Sequence, residues 1–170
     1  MDKITDRIIR VFKLDASVFE EVEADKEAFQ QSMLIVVLSG LAAGIGVIRT
    51  GLNGLLLIAI FAIVGWFFWS FLIYLIGAKL LQAPGTEADY GQLLRTIGFA
   101  SAPGFICVLG IIPILDFIVF IAAPIWIIVA TIIAVRQALD YESTMRAVLV
   151  CVIAYAVKLL LFWVLGLHTA

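Results

Sequence analysis

Three ionisable side chains lie within or beside the long apolar runs of this chain: Asp116, Arg136 and Lys158. A charge held in lipid is costly and by default marks a functional position. We expect Arg136 to end its span at the inner interface, near lipid phosphate. Lys158 is expected either to reach outward or to pair with Asp116, the nearest acid by topology. A structural tether is favoured over a proton relay, because no intramembrane Glu or His continues a path.

No set of residues typical of an active site is present in the sequence. It has no nucleophile paired with a base, no phosphate-binding loop and no pair of acids on one helix face. Cys107 and Cys151 lie singly within apolar runs, and the one histidine, His168, is near the C-terminus. Neither a metal-binding spacing nor a disulfide framework is indicated. We therefore predict no catalysis, no cofactor, no metal site and no nucleic-acid binding.

Composition places the chain among integral membrane proteins. Hydrophobic residues make up 64% of it and charged residues 14%, and the mean hydropathy is +1.17. A soluble domain is about half apolar and a quarter charged. The apolar runs are too long, and too free of polar alternation, for transmembrane strands. The expected fold class is an all-α, polytopic membrane helical bundle.

Five transmembrane helices are predicted from the apolar runs, since a helix needs ~20 apolar residues to cross a bilayer core. The run 97–135 is too long for one span and contains Pro113 and Asp116, a helix breaker and a charge that favours the interface. It is therefore predicted to fold back there. The chain divides into a cytoplasmic amphipathic segment, 1–30, and a membrane domain, 31–170. The predicted spans are 31–48, 55–79, 97–115, 117–135 and 147–167.

The distribution of lysine and arginine predicts an N-terminus in the cytoplasm and a C-terminus outside. With five spans in that orientation, nine of these residues lie inside, Arg49 lies outside and Lys158 lies within a span. This is a strong positive-inside bias, and removing one span would spoil it. The residues placed inside are Lys3, Arg7, Arg10, Lys13, Lys26, Lys79, Arg95, Arg136 and Arg146.

The N-terminal segment contains two amphipathic patterns. The first places apolar residues at helical spacing beside a basic row, Lys3, Arg7 and Arg10. It is predicted to be a helix on the inner leaflet, where anionic lipid attracts cations. The second is predicted to begin at Ser17, with Glu20 completing a capping box, and its outer surface is acidic. That surface is either a solvated face of a helix that continues into the first span, which is favoured, or a docking site for a basic partner.

The approach to the third span has its own polar signals. Residues 90–97 are predicted to form an interfacial helix, capped by Thr86 or Asp89. In it Tyr90 suits the headgroup level, and Arg95 is expected to reach lipid phosphate.

Small residues mark the entry to the third span. Gly98 and its small neighbours permit close approach of another helix, and Pro103 permits a bend. In the first span Gly40 and Gly44, with Gly46 beside them, form a second small face. We predict that these two faces pack together, in preference to a break that binds a ligand.

Two stretches carry a resemblance to a known family. They are "VFEEVEADKEAFQQSMLIVVLSGLAAGIG" and "YGQLLRTIGFASAPGFICVLGIIP", followed in order by "WIIVATIIAVRQAL" and a closing apolar span. The chain resembles the Yip domain family, Ypt/Rab-interacting integral membrane proteins with five spans and a cytoplasmic N-terminus. Gly98, Phe99 and Pro103 look like that family's glycine–aromatic–x–x–x–proline entry to the third span. The resemblance covers about Asp15 to the C-terminus.

The resemblance implies a membrane-embedded organiser that acts through contacts with protein or lipid. The chain departs from eukaryotic members, because it lacks their long cytosolic N-terminal region and their Asp-Leu-Tyr-Gly-Pro string. A Rab-type GTPase is therefore not carried over as a partner. The compact form resembles bacterial or archaeal members, which implies a prokaryotic cytoplasmic membrane.

Two functions from different classes remain open. The favoured one is a non-enzymatic scaffold or adaptor whose partners are the lipid bilayer and another membrane protein or a second copy of this chain. The alternative is a small transporter or channel that uses Lys158 and the proline-broken third span, since transport sites often use broken helices.

Overall fold

The computed structural model describes residues 3–45, 51–83 and 88–165, and every regular element in those ranges is helical. The predicted all-α class is confirmed. Seven α-helices follow in chain order within these ranges, and two of them continue into a different helix type. They are α1 (Lys3–Phe12), α2 (Ser17–Ala24), α3 (Ala28–Ile45), α4 (Gly51–Ile73) with a π segment (Tyr74–Leu80), α5 (Tyr90–Ala100) with a 3-10 segment (Ala102–Ile111), α6 (Pro113–Ala138) and α7 (Thr144–Val164).

Four helical stretches of the described residues are long and apolar enough to cross a membrane: Asn53–Leu80, Tyr90–Ile111, Pro113–Ala138 and Thr144–Val164. They correspond to the second to fifth predicted spans. The apolar part of α3, Ala28–Gly44, is shorter, although the whole of α3 extends about 27 Å at 1.5 Å per residue. Residues 46–48 and 166–167 of the predicted spans lie outside the described residues. The count of five spans and the orientation stay predictions.

Large apolar side chains are exposed on α4, α6 and α7. On α6, Ile114, Phe117 and Phe120 are 82%, 72% and 76% exposed, and every residue from Leu159 to Val164 of α7 is exposed. Such a surface would be a liability in water, but it is the surface that meets lipid in a membrane protein.

The buried core forms two clusters. One joins α4, the π segment, α5, the end of α6 and α7, around Ile73, Leu93 and Val150. The other joins α1 and α2 to α3, α5 and α6, and includes Phe19 and Phe99, both fully buried. Because of this second cluster, the N-terminal helices pack on the bundle.

The long apolar run folds back where the sequence predicts. The 3-10 segment ends at Ile111, Ile112 is extended, and α6 begins at Pro113. Asp116 lies in the first turn of α6, where a negative charge complements the helix dipole.

The third span changes helix type beside Pro103. α5 ends at Ala100, and Pro103 lies in the first turn of the 3-10 segment that follows. The interfacial helix predicted for residues 90–97 is wrong, because α5 runs directly into this segment and its residues 93–100 are all buried. The reason is that α2, α3, α4 and α6 surround it.

Two serines of α3 pack against the small residues of the third span. The Ser32 hydroxyl donates to the Arg95 carbonyl and the Ser39 hydroxyl to the Ser101 carbonyl, each at 2.8 Å. A Cβ at Gly98 would lie 2.5 Å from the Ser32 Cβ, so this approach requires glycine. The first and third predicted spans therefore pack together, through a face of α3 other than the predicted one.

Gly40 and Gly44, however, pack on α4. A Cβ at Gly40 would lie 2.7 Å from the Ala62 Cβ, and one at Gly44 would clash with Ile58. The prediction that this pair meets the small residues of the third span is wrong, because the serine face of α3 takes that place. Gly46 lies outside the described residues.

Candidate functional site

The ion pairs of the described residues are concentrated where α1 and α2 pack on the ends of the spans. We call these two helices the N-terminal layer. α1 packs against α2, α5 and the 3-10 segment, and α2 against α5 and α6. Val11 and Val18 are fully buried, and the Phe12 ring meets the Trp126 ring edge-on, with centroids 5.3 Å apart. Apolar contact therefore seats the layer on the membrane domain.

Arg7 ties the layer together from within. It is 1% exposed, and its Nε donates to Glu21 at 2.9 Å, its Nη2 to Asp25 at 2.8 Å and its Nη1 to Gln31 at 3.0 Å. The guanidinium also lies over the Phe99 ring, 6.0 Å from its centroid. A buried arginine requires such a complete set of acceptors, and this one links α1 to α2 and to the start of α3.

The other two cations of the basic row bind the same acidic residues. Arg10 binds Glu21 at 2.7 Å and Lys3 binds Asp25 at 2.9 Å. The hydrogen bond from Arg10 lowers the pKa of Glu21, and that from Lys3 lowers the pKa of Asp25. The basic row is therefore directed at the carboxylates beside it and not, as predicted, at lipid.

The start of α2 differs from the predicted capping box. Ser17 is the first helical residue, and the helix has no side-chain cap. Asp15 accepts hydrogen bonds from the Ser17 amide at 3.0 Å and the Ser17 hydroxyl at 2.6 Å, and the hydroxyl contact lowers the pKa of Asp15. Glu20 instead accepts a hydrogen bond from Gln137 of α6. The helix ends at Ala24 and Asp25 is extended, so α2 does not continue into the first span.

Four carboxyl groups converge where α2 meets the start of α5 and the turn after α6. We call Glu20, Glu23, Asp89 and Asp140 the acidic patch. Burial raises the pKa of Glu23 to about 7, and the charges of Asp140, Glu20 and Asp89 act in the same direction, whereas Arg95 opposes them. The patch therefore has more negative charge than its neighbouring cation neutralises.

Asp89 also caps α5. Its carboxylate accepts from the Gln92 amide at 2.9 Å, and the Gln92 side chain accepts from the Asp89 amide at 2.5 Å. This reciprocal pair is a capping box, which confirms Asp89 as a predicted cap, while Thr86 lies outside the described residues.

Arg95 and Tyr90 are directed into the protein. Arg95 is 9% exposed, and its Nε and Nη2 donate to the Glu23 carbonyl at 3.2 and 2.5 Å, where a cation complements the C-terminus of α2. Gln92 donates to the Glu23 carboxylate at 3.0 Å. The Tyr90 hydroxyl donates to the Phe67 carbonyl at 2.7 Å. The lipid-phosphate contact predicted for Arg95 is therefore wrong, because its guanidinium joins α5 to the end of α2. The headgroup depth of Tyr90 stays a prediction, and its hydroxyl joins α5 to α4.

Tyr141 also joins two parts of the bundle by a hydrogen bond, and no pattern in the sequence predicted this contact. Its buried hydroxyl lies 2.9 Å from the Gly77 carbonyl and 3.2 Å from the Leu81 carbonyl, and burial raises its pKa. Arg136 Nε donates to the Tyr141 carbonyl at 3.2 Å, so Arg136 holds this loop in addition to ending α6.

Lys158 lies among aromatic rings. Its Nζ is 5.8 Å from the ring centroid of Trp69, 6.0 Å from that of Tyr155 and 5.8 Å from that of Phe162. The ion pairs of the described residues do not include it, so a direct pair with Asp116, one of the two arrangements expected for Lys158, is not found. Helical side chains point back toward the N-terminus of their helix, which for Lys158 is away from the hairpin that contains Asp116.

The residues singled out by sequence fall into three groups. Arg95 contacts the N-terminal layer and Tyr90 contacts α4, whereas Asp116, Arg136 and Lys158 are separate from one another. Among the described residues no cluster of His, Cys, Asp and Glu has the arrangement of a metal site. The remaining predicted residues, Gly40, Gly44, Gly98 and Pro103, lie in contacts between spans.

Comparison with known proteins finds one domain family whose model matches most of the chain. A family model described as the Yip1 domain matches residues 9–166, which include α2, the acidic patch and the four helical stretches long enough to cross a membrane. No curated protein and no solved structure matches the chain.

Proposed function

The chain belongs to the Yip1 domain family of multi-pass membrane proteins, and from that premise we propose that it is a scaffold or adaptor that acts through protein or lipid contacts, without catalysis. The proposal includes five spans in a prokaryotic cytoplasmic membrane, with the N-terminal layer on the cytoplasmic side. A Rab-type GTPase is not part of it.

The observation that carries the proposal is the acidic patch. Its carboxyl groups come from α2, from the cap of α5 and from the turn after α6, so three separate parts of the chain build one surface. Arg7 fixes the N-terminal layer to α3, and Arg95 fixes the end of α2 to α5. These contacts hold the helices that carry the patch in place, which lowers the entropic cost of binding a partner.

The chemistry of the patch indicates the class of partner. Lysine and arginine concentrate beside the cytoplasmic ends of transmembrane helices. A neighbouring membrane protein, or a second copy of this chain, would present those cations at the depth of the acidic patch. Charge complementarity of this kind sets specificity and association rate more than affinity, as suits an adaptor.

Copolymer extraction of the tagged, full-length protein with its surrounding membrane tests the proposal. The double variant Glu20→Gln/Asp140→Asn removes two charges from the patch. Asp6→Asn/Glu27→Gln removes two exposed charges elsewhere and serves as the matched control. We expect mass spectrometry to detect a reproducible protein partner with the unmodified chain and the control, and its loss with the patch variant. Identical partner sets in all three would show that the patch does not dock partners.

The alternative function is a small transporter or channel, and the specific observation in its favour is Lys158. An ammonium group within one span, in a bundle whose third span is interrupted by a 3-10 segment, has features in common with the broken-helix sites of transporters. Flux through reconstituted vesicles that is absent, or unchanged in Lys158→Met, would remove this alternative.

A further inference from the structure

A cavity of about 320 Å³ lies between α3, α4, the 3-10 segment and α6. Its volume is at the lower end of the range of about 300–1,000 Å³ found for small-molecule sites. It contains no Asp, Glu, Lys or Arg side chain. The residues that line it are Val36, Ser39, Gly40, Ala43, Ala62, Gly65, Trp66, Trp69, Ile97, Ser101, Gly104, Cys107, Ile127 and Thr131.

The cavity opens toward lipid at Ala43 and Gly65. Both line it and both are exposed. A Cβ built at Gly65 meets no atom within 4 Å, so α4 leaves this space unfilled. Every lining residue lies in α3 or in a stretch apolar enough to cross a membrane. The molecules that reach this opening in a bilayer are therefore lipids or lipid-soluble compounds.

Thr131 contributes a hydroxyl group to the wall of the cavity. Thr131 is 8% exposed and lines the cavity, and its hydroxyl takes part in none of the side-chain hydrogen bonds found among the described residues. By contrast, the hydroxyls of Ser39 and Ser101 donate to carbonyls at 2.8 and 2.6 Å. An unpartnered hydroxyl in an apolar setting is unfavourable, so Thr131 supplies a donor for a ligand's oxygen.

The depth of Thr131 restricts what that ligand can be. It lies seven residues before Ala138, the end of α6, or about 10 Å along the helix axis. A charged headgroup at that depth would lose its hydration without gaining an ionic partner, because no lining residue is charged. A neutral lipid can sink below the headgroups and retain its carbonyl oxygen.

We propose that this cavity is a lateral binding site for a neutral lipid, whose acyl chain enters past Gly65 and whose carbonyl oxygen accepts a hydrogen bond from Thr131. The site is separate from the acidic patch and does not depend on the adaptor role.

Photolabelling of the full-length protein in phosphatidylcholine vesicles tests the proposal. The probe is a diacylglycerol with a photoactivatable acyl chain, present as a minor component. Gly65→Phe fills the opening, and Val64→Phe adds the same ring at a neighbouring position that is 58% exposed. We expect labelling of the peptide that contains Ile127 and Thr131 in the unmodified protein and in Val64→Phe, and its loss in Gly65→Phe. Gly65→Leu, a smaller filler, provides a second variant should the ring prevent folding.

Thr131→Val tests the hydrogen bond separately, since it retains the shape of the side chain. Loss of one hydrogen bond of about 1 kcal/mol predicts roughly fivefold weaker labelling at limiting probe. Equal labelling of Gly65→Phe, Gly65→Leu and the unmodified protein would overturn the site. Labelling by a photoactivatable phosphatidylcholine that equals the diacylglycerol signal and is indifferent to Thr131→Val would overturn the neutral-lipid assignment.

Discussion

Glu23→Gln is expected to abolish a dependence of stability on pH between about pH 5 and about pH 8. Glu23 has a pKa raised from 4.5 to about 7, first by burial and then by the negative charge of Asp140, with Arg95 opposing. Folding therefore takes up a proton in this window. The sign follows from that uptake: the contribution is fully present below the unfolded-state pKa and is lost as pH rises through the folded-state pKa.

The size of the effect follows from the same values. The difference between 4.5 and about 7 corresponds to about 3 kcal/mol at ~1.4 kcal/mol per pKa unit. Because Glu23 is only partly buried, solvent screening reduces this to roughly 1.5 kcal/mol. For a chain of this length that is a change in Tm of roughly 3–6 °C. The unmodified protein should thus melt at a higher temperature near pH 5 than near pH 8.

Thermal unfolding in lipid nanodiscs, followed by the fluorescence of the four tryptophans, provides the measurement. Glu23→Gln should show little change in Tm over the window. Glu27→Gln removes an exposed carboxyl close in sequence and should retain the slope of the unmodified protein. A slope that persists in Glu23→Gln, or a Tm that rises with pH in the unmodified protein, would refute the reasoning.

Three further substitutions have expected outcomes. Arg7→Met removes the buried cation of the N-terminal layer at a cost of about 3 kcal/mol, so amide exchange of α1 should accelerate roughly 100-fold; unchanged exchange would show that apolar contact alone holds the layer. Gly98→Leu should lower Tm by several degrees because it displaces the Ser32 backbone, whereas Gly65→Leu should not, and equal effects would contradict the packing. Lys158→Met should leave Tm unchanged or raise it, since it removes a desolvated ammonium and retains the aromatic contacts; a marked fall in Tm would show that the charge stabilises the fold.

Arg7 and Arg95 show what a sequence pattern can predict about a cation and what it cannot. The spacing of Arg7 within α1 predicts a helix with a basic face, since helical periodicity is local. It does not distinguish a lipid phosphate from a carboxylate of the next helix, because both attract the same cation. The headgroup role expected for Arg95 fails for the same reason, as its acceptor is a main-chain carbonyl 72 residues away.

The contacts of glycines and tyrosines show a second limit. The spacing of Gly40 and Gly44 predicts that another helix approaches closely, but a small surface does not identify its partner, which here is α4. Tyr141 has no periodic signal at all, since its acceptor at Gly77 lies 64 residues away. Contacts of this kind depend on the arrangement of helices and leave no trace in neighbouring residues.

The amino-acid sequence by itself determined the membrane class, the helices and the fold-back at Pro113. These features depend on the hydrophobicity of continuous runs and on backbone restrictions at single residues, both of which are local. Only the tertiary structure decided that acidic residues of α2 and the turn after it neutralise the arginines of α1. It also decided that Lys158 lies among aromatic rings and that a cavity remains beside Gly65. These features depend on which helices become neighbours, and that choice is made by packing across the whole bundle.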